Sequence, residues 1–67
     1  MSKWIEIRNS FYNLNEILWV ENNEEINKIE IVFKNKNEAI LHFDNTVDRN
    51  ETYEKIKKEL LKWKIVI

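Results

Sequence analysis

The sequence predicts a small α+β domain, an antiparallel meander of three to four strands with one C-terminal amphipathic helix packed on one face. Three observations carry this. Ile29, Ile31 and Phe33 alternate with mostly polar neighbours, pass through Asn35-Lys36-Asn37, and resume as Ala39, Leu41 and Phe43, the pattern of a β-hairpin with one apolar face. A sheet face of that kind has to be covered. After Asp44, Tyr53, Ile56, Leu60, Trp63 and Ile67 recur at spacings of three and four, the stripe of an amphipathic helix that supplies the cover. Finally, the chain has no Gly and no Pro but ten Asn, the residue that best replaces Gly at positive φ and that also bonds its own backbone, so the Asn positions mark the turns.

Taken in order, Lys3 to Arg8 is a first strand with Ile5 and Ile7 on one face and Trp4 and Glu6 on the other. Asn9-Ser10 divides it from a second segment, Phe11 to Glu21, which exceeds an ordinary strand and breaks or bulges at Asn13-Leu14-Asn15. Ile17 and Trp19 then share one face and Leu18 and Val20 the other, so both faces are apolar and the register stays open. Asn22-Asn23 leads to a third strand, Ile26 to Lys34, and the hairpin delivers a fourth, Glu38 to Asp44. Thr46, Asp48 and Asn50 compete as helix N-caps. Asp48, Glu51 and Glu54 early and Lys57, Lys58, Lys62 and Lys64 late suit the helix dipole, and the helix runs to Lys62 or Trp63. Lys64 to Ile67 reads as a further helical turn, a short strand or a frayed end. The converging faces give a core of Ile5, Ile29, Ile31, Phe33, Leu41, Phe43, Ile56 and Leu60.

The 67 residues show no repeat, linker or low-complexity block, and residues 1-67 form a single domain with one thin core. A chain of this size buries only about 60% of the surface its unfolded form exposes. Disulfides are ruled out by the lack of Cys, which leaves oligomerisation, a homodimer first, as the expected aid to stability. With 34% charged and 43% hydrophobic residues the composition is globular, and a net charge of −1 provides no field to attract nucleic acid or an anionic membrane. Neither a signal-peptide-like apolar run nor a membrane-length one is present, so the expected location is the cytoplasm.

The inventory argues against an enzyme. Gly-rich phosphate loops need Gly, Cys-based nucleophiles need Cys, and one His with Ser2 and Ser10 offers no nucleophilic triad. Glu24-Glu25 and Asp44 with Asp48 lack the spacing of a cation loop, and His42 alone makes no zinc site, so neither metal nor cofactor is expected. His42 alternates with Leu41 and Phe43 and so faces away from the helix, where a flat sheet surface gives it no pocket.

Two binding readings remain. If the inner alternation covers the core, Val32 and Ile40 face outward, joined by Trp4 and by one of Leu18 and Trp19, with Lys28, Glu30, Lys34 and His42 around them. Contiguous outward apolar surface rich in Trp marks an interface, so Trp4, Trp19, Val32, Ile40 and His42 form the candidate protein-binding set. The alternative is a nucleic-acid-binding module in which Lys55, Lys58 and Lys62 follow a phosphate backbone, opposed by Glu51, Glu54 and Glu59 on the same helix. In composition and layout the whole chain resembles short bacterial and phage proteins, among them phage-encoded inhibitors of host defence such as anti-CRISPR proteins. That resemblance carries no residue motif; it implies action by binding a protein partner.

Overall fold

The computed structural model describes residues 3–63, with side chains through residue 62; the readings placed on Lys64 to Ile67, and on the Trp63 side chain, fall outside the described residues. The strands are β1 (Trp4–Ile7), β2 (Ser10–Asn13), β3 (Ile17–Asn23), β4 (Lys28–Phe33) and β5 (Glu38–His42), with a single 3₁₀ turn, Leu14–Glu16, between β2 and β3, and one helix, α1 (Thr46–Trp63). They form two sheets, a β1-β2 hairpin and an antiparallel β3-β4-β5 sheet. The long second segment of the sequence is therefore two strands in two different sheets, and the first strand does not join the other three.

The division occurs at Asn13-Leu14-Asn15 and has a local cause. Asn13 Oδ1 accepts from the Asn15 backbone N–H at 2.9 Å, which closes the 3₁₀ turn and swings Leu14 into the core, where it is buried. Leu14 N–H in turn donates to Lys3 O at 2.7 Å, tying the turn back to the start of β1. A leucine read as part of a chain break is thus one of the best-buried side chains of the protein.

The register left open in the sequence is settled by a β-bulge. Ile17 pairs with Phe33 but Trp19 pairs with Val32, so Leu18 is the extra residue. The bulge reverses the parity of the strand: Ile17 and Val20 both turn toward the core, whereas Trp19 turns outward. Simple alternation cannot produce a three-residue spacing on one face. One inserted residue can.

The core consists of Ile5, Ile7, Leu14, Ile17, Ile29, Ile31, Leu41 and Ile56. Phe33, Phe43 and Leu60, expected within it, are half-buried and pack against its margin. Phe33 stacks on Tyr12 with ring centroids 5.9 Å apart, joining the hairpin to the larger sheet. The Arg8 guanidinium lies 4.2 Å from the centre of the Phe43 ring and donates to the carbonyl of His42, joining the hairpin tip to the end of β5. Both rings therefore lie where the hairpin closes over the sheet, one side against the core and the other toward solvent.

The Asn residues act mainly by the second of the two expected routes, bonding the backbone beside them. Of the four described residues at positive φ, two are Asn (Asn9 and Asn27) and two are basic, Arg8 and Lys36. Arg8 and Asn9, at φ 53° and 65°, form the two-residue loop of the β1-β2 hairpin. Elsewhere the side-chain carbonyl shapes the turn: Asn23 Oδ1 accepts from Glu25 N–H at 3.1 Å, and Asn35 Oδ1 from Asn37 N–H at 3.0 Å. Asn45 does the same for α1. Its Oδ1 accepts from Asp48 N–H at 2.8 Å while its Nδ2 donates to the Asp48 carboxylate at 3.0 Å. Asn45, not Thr46, Asp48 or Asn50, is the N-cap, because a cap has to stand one residue ahead of the helix and reach its N3 amide. Asn45→Ala is expected to lower stability by about 1 kcal/mol, read from the midpoint of chemical denaturation; an unchanged midpoint would show that the cap contributes nothing.

Candidate interaction surface

The register of the three-stranded sheet fixes its outer face row by row. Trp19 pairs with Val32 and Val32 with Glu38; Glu21 with Glu30 and Glu30 with Ile40; Asn23 with Lys28 and Lys28 with His42. Trp19, Val32, Ile40 and His42 of the expected set therefore share one face, since cross-strand partners project to the same side. Trp19 is 54% exposed and Ile40 44%, while Val32, in the row of Trp19 and diagonal to Ile40, is half-buried by its neighbours. A single ion pair, Lys28 Nζ to Glu30 Oε1 at 3.4 Å, crosses the middle of this surface. With both partners partly exposed, it contributes little to stability.

Trp4 lies elsewhere. It pairs with Asn13 in the β1-β2 hairpin, projects with Glu6 and Phe11 from the outside of that hairpin, and is no neighbour of Trp19 in either sheet. The expectation that it adds to the same patch assumed one continuous sheet, and the 3₁₀ turn removes that continuity. Leu18 is exposed as well, but at the bulge, where it opens with Trp19 onto a groove between β3 and α1. This groove, of about 280 Å³, is lined by Ile17, Leu18, Val20, Tyr53, Leu60 and Leu61 among others, with Lys57 on its wall.

The three helix lysines lie on the solvent side of α1, but they do not form a uniform basic track. Lys55 reaches across to donate to the Glu6 carbonyl at 2.8 Å, and the shallow depression that holds Lys55, Lys57 and Lys58 is shared with Glu51 and Glu54. Lys58 and Lys62 are exposed. Alternating signs within one turn of helix cancel the field a phosphate backbone would feel beyond a Debye length of about 8 Å.

The sequence reading missed one residue, Arg49. It continues the inward stripe of α1 one turn ahead of Tyr53, Ile56 and Leu60 and is only 2% exposed. Nη1 donates to Asn27 Oδ1 and Nη2 to Asn50 Oδ1 at 3.2 Å, whereas Nε has no partner. Among the described residues no carboxylate lies within ion-pair distance of it. Asn27 in turn holds the end of β5, its Nδ2 donating to Phe43 O at 3.0 Å and its backbone O accepting from Phe43 N–H at 3.0 Å. The spacing 49, 53, 56, 60 was legible, but an Arg is normally assigned to solvent.

Among the described residues, no three His, Cys, Asp or Glu side chains come together as a group able to hold a metal ion, and no helix is long and apolar enough to cross a membrane. No family model matches the chain, and comparison with curated proteins and with solved structures gives no match either.

Proposed function

We propose that this protein acts by binding another protein through the outer face of its three-stranded sheet, without catalysing a reaction. The observation that carries the reading is the register, which puts Trp19 and Val32 side by side in one row and Ile40 in the next, with both Trp19 and Ile40 largely exposed. An apolar row with a Trp, bordered by Glu21, Glu38, Lys28 and His42, has the make-up of an interface, with an aromatic anchor and a polar rim. Two further parts belong to the same proposal: a cytoplasmic setting, which rests on the lack of a signal-like or membrane-length apolar run, and a role as a phage- or mobile-element-encoded inhibitor of host defence, which rests on the resemblance in composition alone.

The test is an affinity capture of partners by the wild-type chain and by two matched variants, Trp19→Ser on the proposed face and Trp4→Ser on the hairpin. A partner retained by wild type and Trp4→Ser but lost with Trp19→Ser supports the reading. Loss with Trp4→Ser alone transfers the site to the hairpin and refutes it.

The nucleic-acid reading predicts something different. Given the acidic residues interspersed with Lys55, Lys58 and Lys62, binding to a labelled duplex or single strand is expected to be weak and sequence-independent. Submicromolar binding at physiological salt that falls steeply as salt rises, and that is abolished by Lys58→Glu with Lys62→Glu, would replace the proposal above.

A further inference from the structure

Resting on the reading that this sheet binds protein, we propose that one partner is a second copy of the chain, joined edge to edge through β5 about a two-fold axis at Ile40. The two edges of the sheet differ. β3 carries the bulge at Leu18, a device that interrupts edge pairing. β5 pairs with β4 in unbroken register and, among the described residues, has no strand on its other side. Its sequence, Glu38-Ala39-Ile40-Leu41-His42, holds neither Lys nor Pro, two residues that commonly protect an edge.

The phase of the hydrogen bonds shows which groups that edge presents. Phe43 N–H donates to Asn27 O at 3.0 Å and Phe33 N–H to Asn37 O at 2.8 Å, so odd-numbered residues of β5 bond inward to β4. Glu38, Ile40 and His42 therefore point their backbone N–H and C=O away from β4. The His42 carbonyl agrees, since it accepts from the side chain of Arg8, which lies outside the sheet and has to share or yield that acceptor when the Glu38 N–H of the second copy arrives.

An antiparallel pair centred on Ile40 sets Ile40 against Ile40, Glu38 against His42 of the second copy, and Ala39 against Leu41 of the second copy. Each match is favourable. The apolar residue meets itself, and the carboxylate faces an imidazole that can donate in either protonation state. The Arg8 guanidinium adds positive charge at the end where Glu38 of the second copy arrives. Half-exposed Ala39, at the margin of the core, gains a neighbour on its open side. A strand self-complementary about its own centre is what a closed two-fold interface requires, and the product is one six-stranded sheet with a continuous outer face.

Sedimentation equilibrium at tens of micromolar is the experiment, on wild type and five samples, Trp19→Ser among them. Wild type is expected to be a dimer. Ile40→Pro removes an N–H that points away from β4, costs no bond of the monomer's ladder, and is expected to give a monomer with unchanged circular dichroism. Glu38→Lys alone turns a cation toward His42 and the Arg8 guanidinium of the second copy, His42→Glu alone sets two carboxylates opposite one another, and each is expected to weaken association about tenfold. In an equimolar mixture of those two variants, the mixed dimer has a Lys–Glu pair at one end and the wild-type Glu–His pair at the other, and the mixture is expected to recover the dimer. A monomeric wild type overturns the proposal. So does a dimer that survives Glu38→Lys and His42→Glu but is lost with Trp19→Ser, which would leave the outer face as the protein-binding surface and remove only the edge.

Discussion

Replacing Ile31 with Ala is expected to cost about 2 to 5 kcal/mol, the range for removing a fully buried branched side chain from a packed core. Ile31 lies in the central strand, has no exposed surface, and is flanked by Val20 on β3 and Ala39 on β5, with α1 above. Central strands cannot shift to close a cavity, because both neighbours hold them in register. A domain of 67 residues has roughly 0.05–0.15 kcal/mol of stability per residue, so the loss takes most of what is available. The expected result is loss of a cooperative thermal transition at ambient temperature. Phe33→Ala is the informative comparison. Phe33 is only half-buried, and its removal is expected to destabilise less than Ile31→Ala despite the larger side chain. The opposite order in urea denaturation would show that the stack with Tyr12, and not the isoleucine layer, dominates the core.

Asn27→Ala is expected to cost about 3 kcal/mol, an effect larger than its half-exposed position implies. The substitution removes the acceptor for a buried Arg49 Nη1 and the donor to the Phe43 carbonyl, and it puts Ala at φ 53°, where a Cβ without a compensating side-chain bond is disfavoured. Most of the cost comes from the stranded cation. Breaking the partner of a buried charge is far worse than removing the charge itself. Arg49→Met is accordingly expected to stay within about 1 kcal/mol of wild type or to exceed it, since the apolar side chain continues the stripe of Tyr53, Ile56 and Leu60 and leaves no orphaned Nε. The double variant makes the argument decisive. With Met at 49, Asn27→Ala should lose a large part of its effect, and strict additivity of the two changes would show that Arg49 and Asn27 are not energetically coupled.

How much of this protein could be read in advance varies from element to element for physical reasons. The hairpin of β4 and β5 and the existence and inward stripe of the helix were legible because each repeats a simple period: Ile29, Ile31 and Phe33 at two, Tyr53, Ile56 and Leu60 at three to four. The outward positions of Val32, Ile40 and His42 followed from the same alternation. Local chemistry was half legible. The Asn residues did mark the turns, yet their work at Asn13, Asn23, Asn35 and Asn45 is to accept backbone N–H groups, which sequence position alone does not separate from a positive φ.

What the sequence by itself determined is therefore the α+β class, the single helix and the two faces of its central hairpin, because those depend on side-chain periodicity along one strand or one helix. Tertiary structure alone decided three things. A bulge of one residue at Leu18 chose Trp19 over Leu18 for the outer face; the 3₁₀ turn at Leu14 moved Trp4 to a separate sheet; and packing of α1 buried Arg49 against Asn27. Each of these pairs residues distant in sequence or shifts a register by one, and a local pattern contains no term for either.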